Sequence, residues 1–93
     1  MYARDNAAIA GDTQQPPTGA QIDAAVTAFR MLADPTRLRL LWLLSTSEYD
    51  VGSLAAAVGA ARPSVSQHLA KLKLAGLVTM RRRGRRTIYA TPR

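Results

Sequence analysis

The chain has 93 residues, no cysteine, one histidine and a formal net charge of +7. That length holds one domain with a small core, and the missing thiols exclude a disulfide framework, a thiolate metal site and a redox switch. Residues 1–50 carry all six acids and four arginines, whereas residues 51–93 carry nine Lys or Arg and no acid, an asymmetry that marks a polyanion-binding surface.

In chain order, residues 1–18 have no apolar period and end Gln14-Gln15-Pro16-Pro17-Thr18, which reads as a flexible arm before a domain over 19–93. The first helix is expected at about 20–33. Ile22, Ala25, Val26, Phe29 and Leu32 form its apolar stripe at three- and four-residue steps. So short a domain cannot cover many helix faces, so Ile22, Ala25, Val26 and Phe29 are the best surface for pairing with a second copy. A second helix, about 35–46, opens at Asp34-Pro35, an N-cap followed by proline at the first helical position. Leu38, Leu40, Leu41, Trp42, Leu43 and Leu44 face nearly every direction, which predicts an enclosed central helix with Trp42 in the core. Arg37 and Arg39 are expected to snorkel to the surface, with a phosphate contact the alternative for Arg37. Ser45 to Tyr49 reads as a connection. Asp50 can cap a third helix, Val51 to Val58, that ends at Gly59.

The next helix, about 62–75, carries the most information. Val65, Leu69, Leu72 and Gly76 fall on one stripe, and Pro63 lies in the first turn, where it is tolerated. Gln67, Ala70, Lys71 and Leu74 lie opposite, with Ser64 and Ser66 at the margins. That outer face has no acid, so it can approach phosphates and base edges closely. Two short helices joined by a glycine turn, the second polar outside, make a helix-turn-helix. Leu77 to Arg82 and Thr87 to Thr91 then alternate as strands around Gly84, a hairpin over about 77–91. Arg81, Arg82, Arg83, Arg85 and Arg86 crowd its tip, and such cations repel one another unless an anion joins them, which favours phosphate binding. The fold class is mainly α with a small β-hairpin, a winged helix-turn-helix.

The run from Phe29 to Leu41 (FRMLADPTRLRLL), Val51-Gly-Ser-Leu-Ala, the run from Pro63 to Val78 (PSVSQHLAKLKLAGLV) and Arg83-Gly-Arg-Arg-Thr-Ile-Tyr resemble ArsR/SmtB-type bacterial transcriptional repressors. The resemblance spans about residues 22–90 and is nearest to the nickel- and cobalt-responsive KmtR-like members of actinobacteria. It implies a homodimeric repressor on double-stranded operator DNA, released by an effector such as nickel, cobalt or zinc. By match, Ser64, Ser66, Gln67 and His68 sit at the groove positions and Arg83, Arg85 and Arg86 on the wing. The cations Arg62, Lys71 and Arg81 complete the expected DNA-binding set. There are departures. Asp50, Val51 and Gly52 replace the thiolate pair that some members carry. The chain reaches Thr91-Pro92-Arg93 where a metal-binding C-terminal helix would begin. Ala61 replaces a small polar cap, and Leu74 stands where a charge is common.

His68 is the one imidazole, and a single ligand does not make a metal site, so no metal ligands and no cofactor are expected in this chain. A structural role or a phosphate contact suits His68 better. No nucleophile, base and orienting acid come together, so no catalytic residue is expected and the chain does not read as an enzyme. No apolar run is long enough for a membrane span and no signal peptide is legible, so a cytoplasmic protein with no membrane partner is expected. Two alternatives stay open. One is a winged helix that binds DNA or RNA nonspecifically; the other is a protein–protein adaptor using the Leu74 face.

Overall fold

In the computed structural model, which describes residues 15–92, each helix begins at a side-chain cap or a proline. The arm expected over 1–18 falls mostly outside the described residues. Its last residue, Thr18, is the N-cap of helix α1, Gly19–Leu32. The Thr18 hydroxyl accepts from the Gln21 N–H at 3.0 Å, and Gln21 Oε1 accepts from the Thr18 N–H at 2.9 Å. This reciprocal box satisfies two amides that a helix start leaves without partners. Helix α2, Pro35–Leu44, starts with Asp34 Oδ2 accepting from the Arg37 N–H at 2.9 Å. It ends two residues earlier than expected. Ser45 Oγ donates to the Trp42 carbonyl at 2.6 Å and Thr46 Oγ1 to the Leu43 carbonyl at 2.9 Å, closing the last turn.

Helix α3, Val51–Val58, is capped by Asp50, whose Oδ1 accepts from the Ser53 N–H at 2.8 Å. Gly59 follows with φ of +68°, a left-handed turn that a side chain would strain, and leads into helix α4, Arg62–Leu74. The strands are Thr79–Arg83 and Arg86–Ala90 around Gly84-Arg85. Positive φ is confined to the first turn residue, Gly84 at +64°, the type II′ pattern that matches strand twist. A third strand begins at the end of the segment read as a connection and includes the residue read only as a cap. Tyr49–Asp50 is β1, Thr79–Arg83 is β2 and Arg86–Ala90 is β3, in the order β1-β3-β2. Tyr49 lies opposite Tyr89 and Asp50 opposite Ile88, both antiparallel. A two-residue strand running directly into a helix has no alternation to read.

The core lies between α2, α3 and α4. Leu40, Leu44, Leu54, Ala55, Val65, Leu69, Leu72 and Val78 form one buried cluster. Burying the Val65, Leu69 and Leu72 side chains contributes about 1.5–3 kcal/mol each, which ties α4 down by one face and leaves the other free. The expectation of an enclosed α2 with Trp42 in the core is corrected. Leu38 is 52% and Trp42 71% exposed. Helix α1 buries none of its residues, so it cannot complete a wall around α2. The remaining elements are too few to enclose a helix that is apolar all round.

Candidate nucleic-acid interface

Helix α4 has two faces. Val65, Leu69 and Leu72 are fully buried, whereas Arg62, Ser64, Ser66, Gln67, Ala70, Lys71 and Leu74 are exposed. Leu74 is 91% exposed, a bare apolar group beside Lys71. Ala61 is the N-cap and makes no side-chain cap hydrogen bond. The polar side chains of the outer face are therefore hydroxyl, amide or cationic, as the period predicts.

His68 is only partly exposed, and the reason is Arg37. Arg37 Nη1 lies 3.2 Å from His68 Nδ1, and Arg37 Nε donates to the Met31 carbonyl at 2.6 Å. A guanidinium only donates, so Nδ1 accepts and the ring hydrogen sits on Nε2. Asp34 Oδ2 is 3.9 Å from the same ring nitrogen. The Arg37 N–H, and after it the Arg37 charge, hold the Asp34 carboxyl below its ordinary value despite some desolvation. Arg37 thus joins the end of α1, the cap of α2 and the middle of α4. It neither snorkels freely nor faces outward for phosphate; the expectation for this residue is corrected by contacts 6 and 31 residues away in sequence.

The wing divides its cations. Residues opposite one another in antiparallel strands share a face. By register, Arg81, Ile88 and Asp50 share one face with Arg83 and Arg86, while Met80, Tyr89 and Tyr49 share the other with Arg82 and Thr87. Arg81 Nη2 donates to Glu48 Oε1 at 2.6 Å. Arg86 donates twice to Asp50 Oδ2, from Nε at 2.9 Å and Nη2 at 2.6 Å. The Ser53 N–H and hydroxyl, and then Arg86, pull the Asp50 carboxyl down to about 2. Arg82, Arg83 and Arg85 form no ion pair among the described residues. Repulsion at the tip is therefore relieved in part by two carboxylates of the chain itself. Glu48 carried no signal in the sequence, and Asp50 signalled only its role as a cap.

Along α1, Ile22, Ala25, Val26 and Phe29 are exposed, with Phe29 at 72%. The described residues do not suit a metal. Asp50 is already engaged by Ser53 and Arg86, His68 by Arg37, and position 52 is glycine. The described residues contain no group of three His, Cys, Asp or Glu close enough to hold an ion. No helix among them is long and apolar enough to cross a membrane.

A small helical core that presents an acid-free helix beside a basic hairpin defines a winged helix-turn-helix, the fold of a class of DNA-binding domains. The family described as "Bacterial regulatory protein, arsR family" matches residues 34–80. The chain belongs to that family of transcriptional regulators. It is 52% identical over 69 residues to the HTH-type transcriptional regulator KmtR of Mycobacterium tuberculosis, covering 74% of this chain and 53% of the relative. It is 42% identical over 74 residues to the HTH-type transcriptional repressor SmtB of the same species, covering 80% and 55%. The chain spans about half the length of these curated relatives. Among solved structures, the homodimeric winged helix-turn-helix DNA-binding domain of Mb0332 from Mycobacterium bovis superposes with a TM-score of 0.75 at 34% identity. That match covers 86% of this chain and 74% of the other.

Proposed function

We propose that this chain is the DNA-binding domain of a dimeric, cytoplasmic transcriptional repressor. The observation that carries the reading is the acid-free outer face of α4 lying beside a hairpin whose Arg82, Arg83 and Arg85 have no ion-pair partner among the described residues. In this reading α4 enters the major groove. Ser64, Ser66 and Gln67 face base edges, with Arg62 and Lys71 at phosphates. The wing runs along the backbone, with Arg83 and Arg85 at phosphates and Arg81 and Arg86 held back by Glu48 and Asp50. His68 is steadied by Arg37, which leaves its Nε2–H as the donor for a phosphate. Two copies pair through Ile22, Ala25, Val26 and Phe29, which places two α4 helices on half-sites about one helical turn apart. Release by an effector follows from family membership. A nickel, cobalt or zinc effector would need ligands that residues 15–92 do not assemble.

Selection from a random-sequence duplex library tests this. The expected result is enrichment of a two-fold symmetric sequence. Binding at low salt without enrichment would instead indicate a nonspecific nucleic-acid binder. A chain that ignores duplex DNA altogether would favour an adaptor using the face around Leu74, a residue that is 91% exposed.

A further inference from the structure

Gly52 has no backbone reason to be glycine. It lies in the first turn of α3, outside the left-handed region that Gly59, Gly76 and Gly84 occupy. Glycine inside a helix costs about 0.5–1 kcal/mol relative to alanine. What the glycine provides is space. A Cβ at position 52 would stand 2.5 Å from Arg62 Nη2, 3.0 Å from Cζ and 3.3 Å from Nε. The Nη2, Cζ and Nε atoms of the Arg62 guanidinium therefore lie against position 52 of α3, where one methyl group would displace them. No carboxylate pairs with Arg62 among the described residues, although Asp50 is only two positions from Gly52. Asp50 is committed to the Ser53 N–H and to Arg86. The charge also sits by the positive end of the α3 dipole, which disfavours a cation unless an anion joins it.

We infer that Gly52 is a positioning residue for DNA binding: its missing side chain seats the Arg62 guanidinium between α3 and α4, where it takes a backbone phosphate. This rests on the DNA-binding reading above. Arg62 then supplies register without sequence choice, because phosphate contacts fix where α4 lies in the groove. The nearest atoms a new Cβ would meet belong to the flexible end of a side chain, so the added methyl moves Arg62 and leaves the fold intact.

The test is a double-mutant cycle on the chain, read by anisotropy of a labelled mixed-sequence duplex across salt, with thermal unfolding in parallel. Gly52→Ala should keep or raise the unfolding midpoint, as alanine is the better helix former. It should also make log K against log salt shallower by about 0.9, the value of one phosphate contact. Arg62→Ala should give the same loss, and the double variant no more than either. Parental binding by Gly52→Ala, additive losses, or a lowered midpoint for Gly52→Ala would each overturn the inference. So would an unchanged slope for Arg62→Ala while Arg83→Ala lowers it, a result that leaves the DNA-binding reading standing. A parent chain that does not bind the duplex at low salt overturns that reading and this inference together.

Discussion

Replacing Arg83 and Arg85 together by alanine should make DNA binding less salt-sensitive, whereas replacing Arg81 and Arg86 together should change little. A cation that neutralises a phosphate releases counterions, and each such contact steepens log K against log salt by about 0.9. Arg83 and Arg85 have no ion-pair partner among the described residues, so losing both should remove about 1.8 from the slope. Between about 50 and about 200 mM salt, that makes the fall in affinity roughly tenfold smaller. Arg81 and Arg86 are already neutralised, each 2.6 Å from Glu48 or Asp50, and such a pair releases no counterion unless it opens. Asp50→Asn supplies a third arm. Asparagine caps a helix as well as aspartate does, so α3 keeps its start while Arg86 loses its counter-charge. The slope should then steepen by up to about 0.9. Anisotropy of a labelled duplex measures all three. Equal slope losses for the two double variants would refute the idea that internal pairing decides which wing arginines meet phosphate.

Gln67 can donate and accept in the plane of an adenine edge, so Gln67→Ala should cost about 1–3 kcal/mol on a selected operator and little on random duplex. Equal losses on both would make it a backbone contact. Phe29→Asp puts a charge on a side chain that is 72% exposed in the single chain, so it should yield a folded monomer. Sedimentation equilibrium with far-UV circular dichroism checks this, and an undiminished dimer would place the interface elsewhere. Asp50 is depressed from the ordinary 3.8 to about 2, so its share of stability is present above 3.8 and is lost as pH falls towards 2. Thermal midpoints followed over that window should fall more steeply for the parent than for Asp50→Asn, and parallel curves would show that the carboxylate contributes nothing.

Short-range signals in the sequence were enough for the helix-turn-helix. Asp34 with Pro35, Asp50, Gly59, and the stripe of Val65, Leu69 and Leu72 each act within a turn or two of chain, and each stands where its chemistry requires. The acid-free outer face of α4 follows from the same period, and so does the basic hairpin around Gly84. The third strand was not legible, because Tyr49 and Asp50 are set by pairing with Tyr89 and Ile88 rather than by any local pattern. Nor was the exposure of Leu38 and Trp42. Apolar residues on every side of α2 show what could be covered, and only the placement of α1, α3 and α4 decides which sides are. The deepest division lies in the charges. Composition counts five arginines at the wing as equals. Chain reversal brings Glu48 to Arg81 across 33 positions and Asp50 to Arg86 across 36, and it lays Arg62 on Gly52. Coulomb attraction and steric room depend on distance in space, so the fold, rather than composition, decides which cations remain free for an anion from outside.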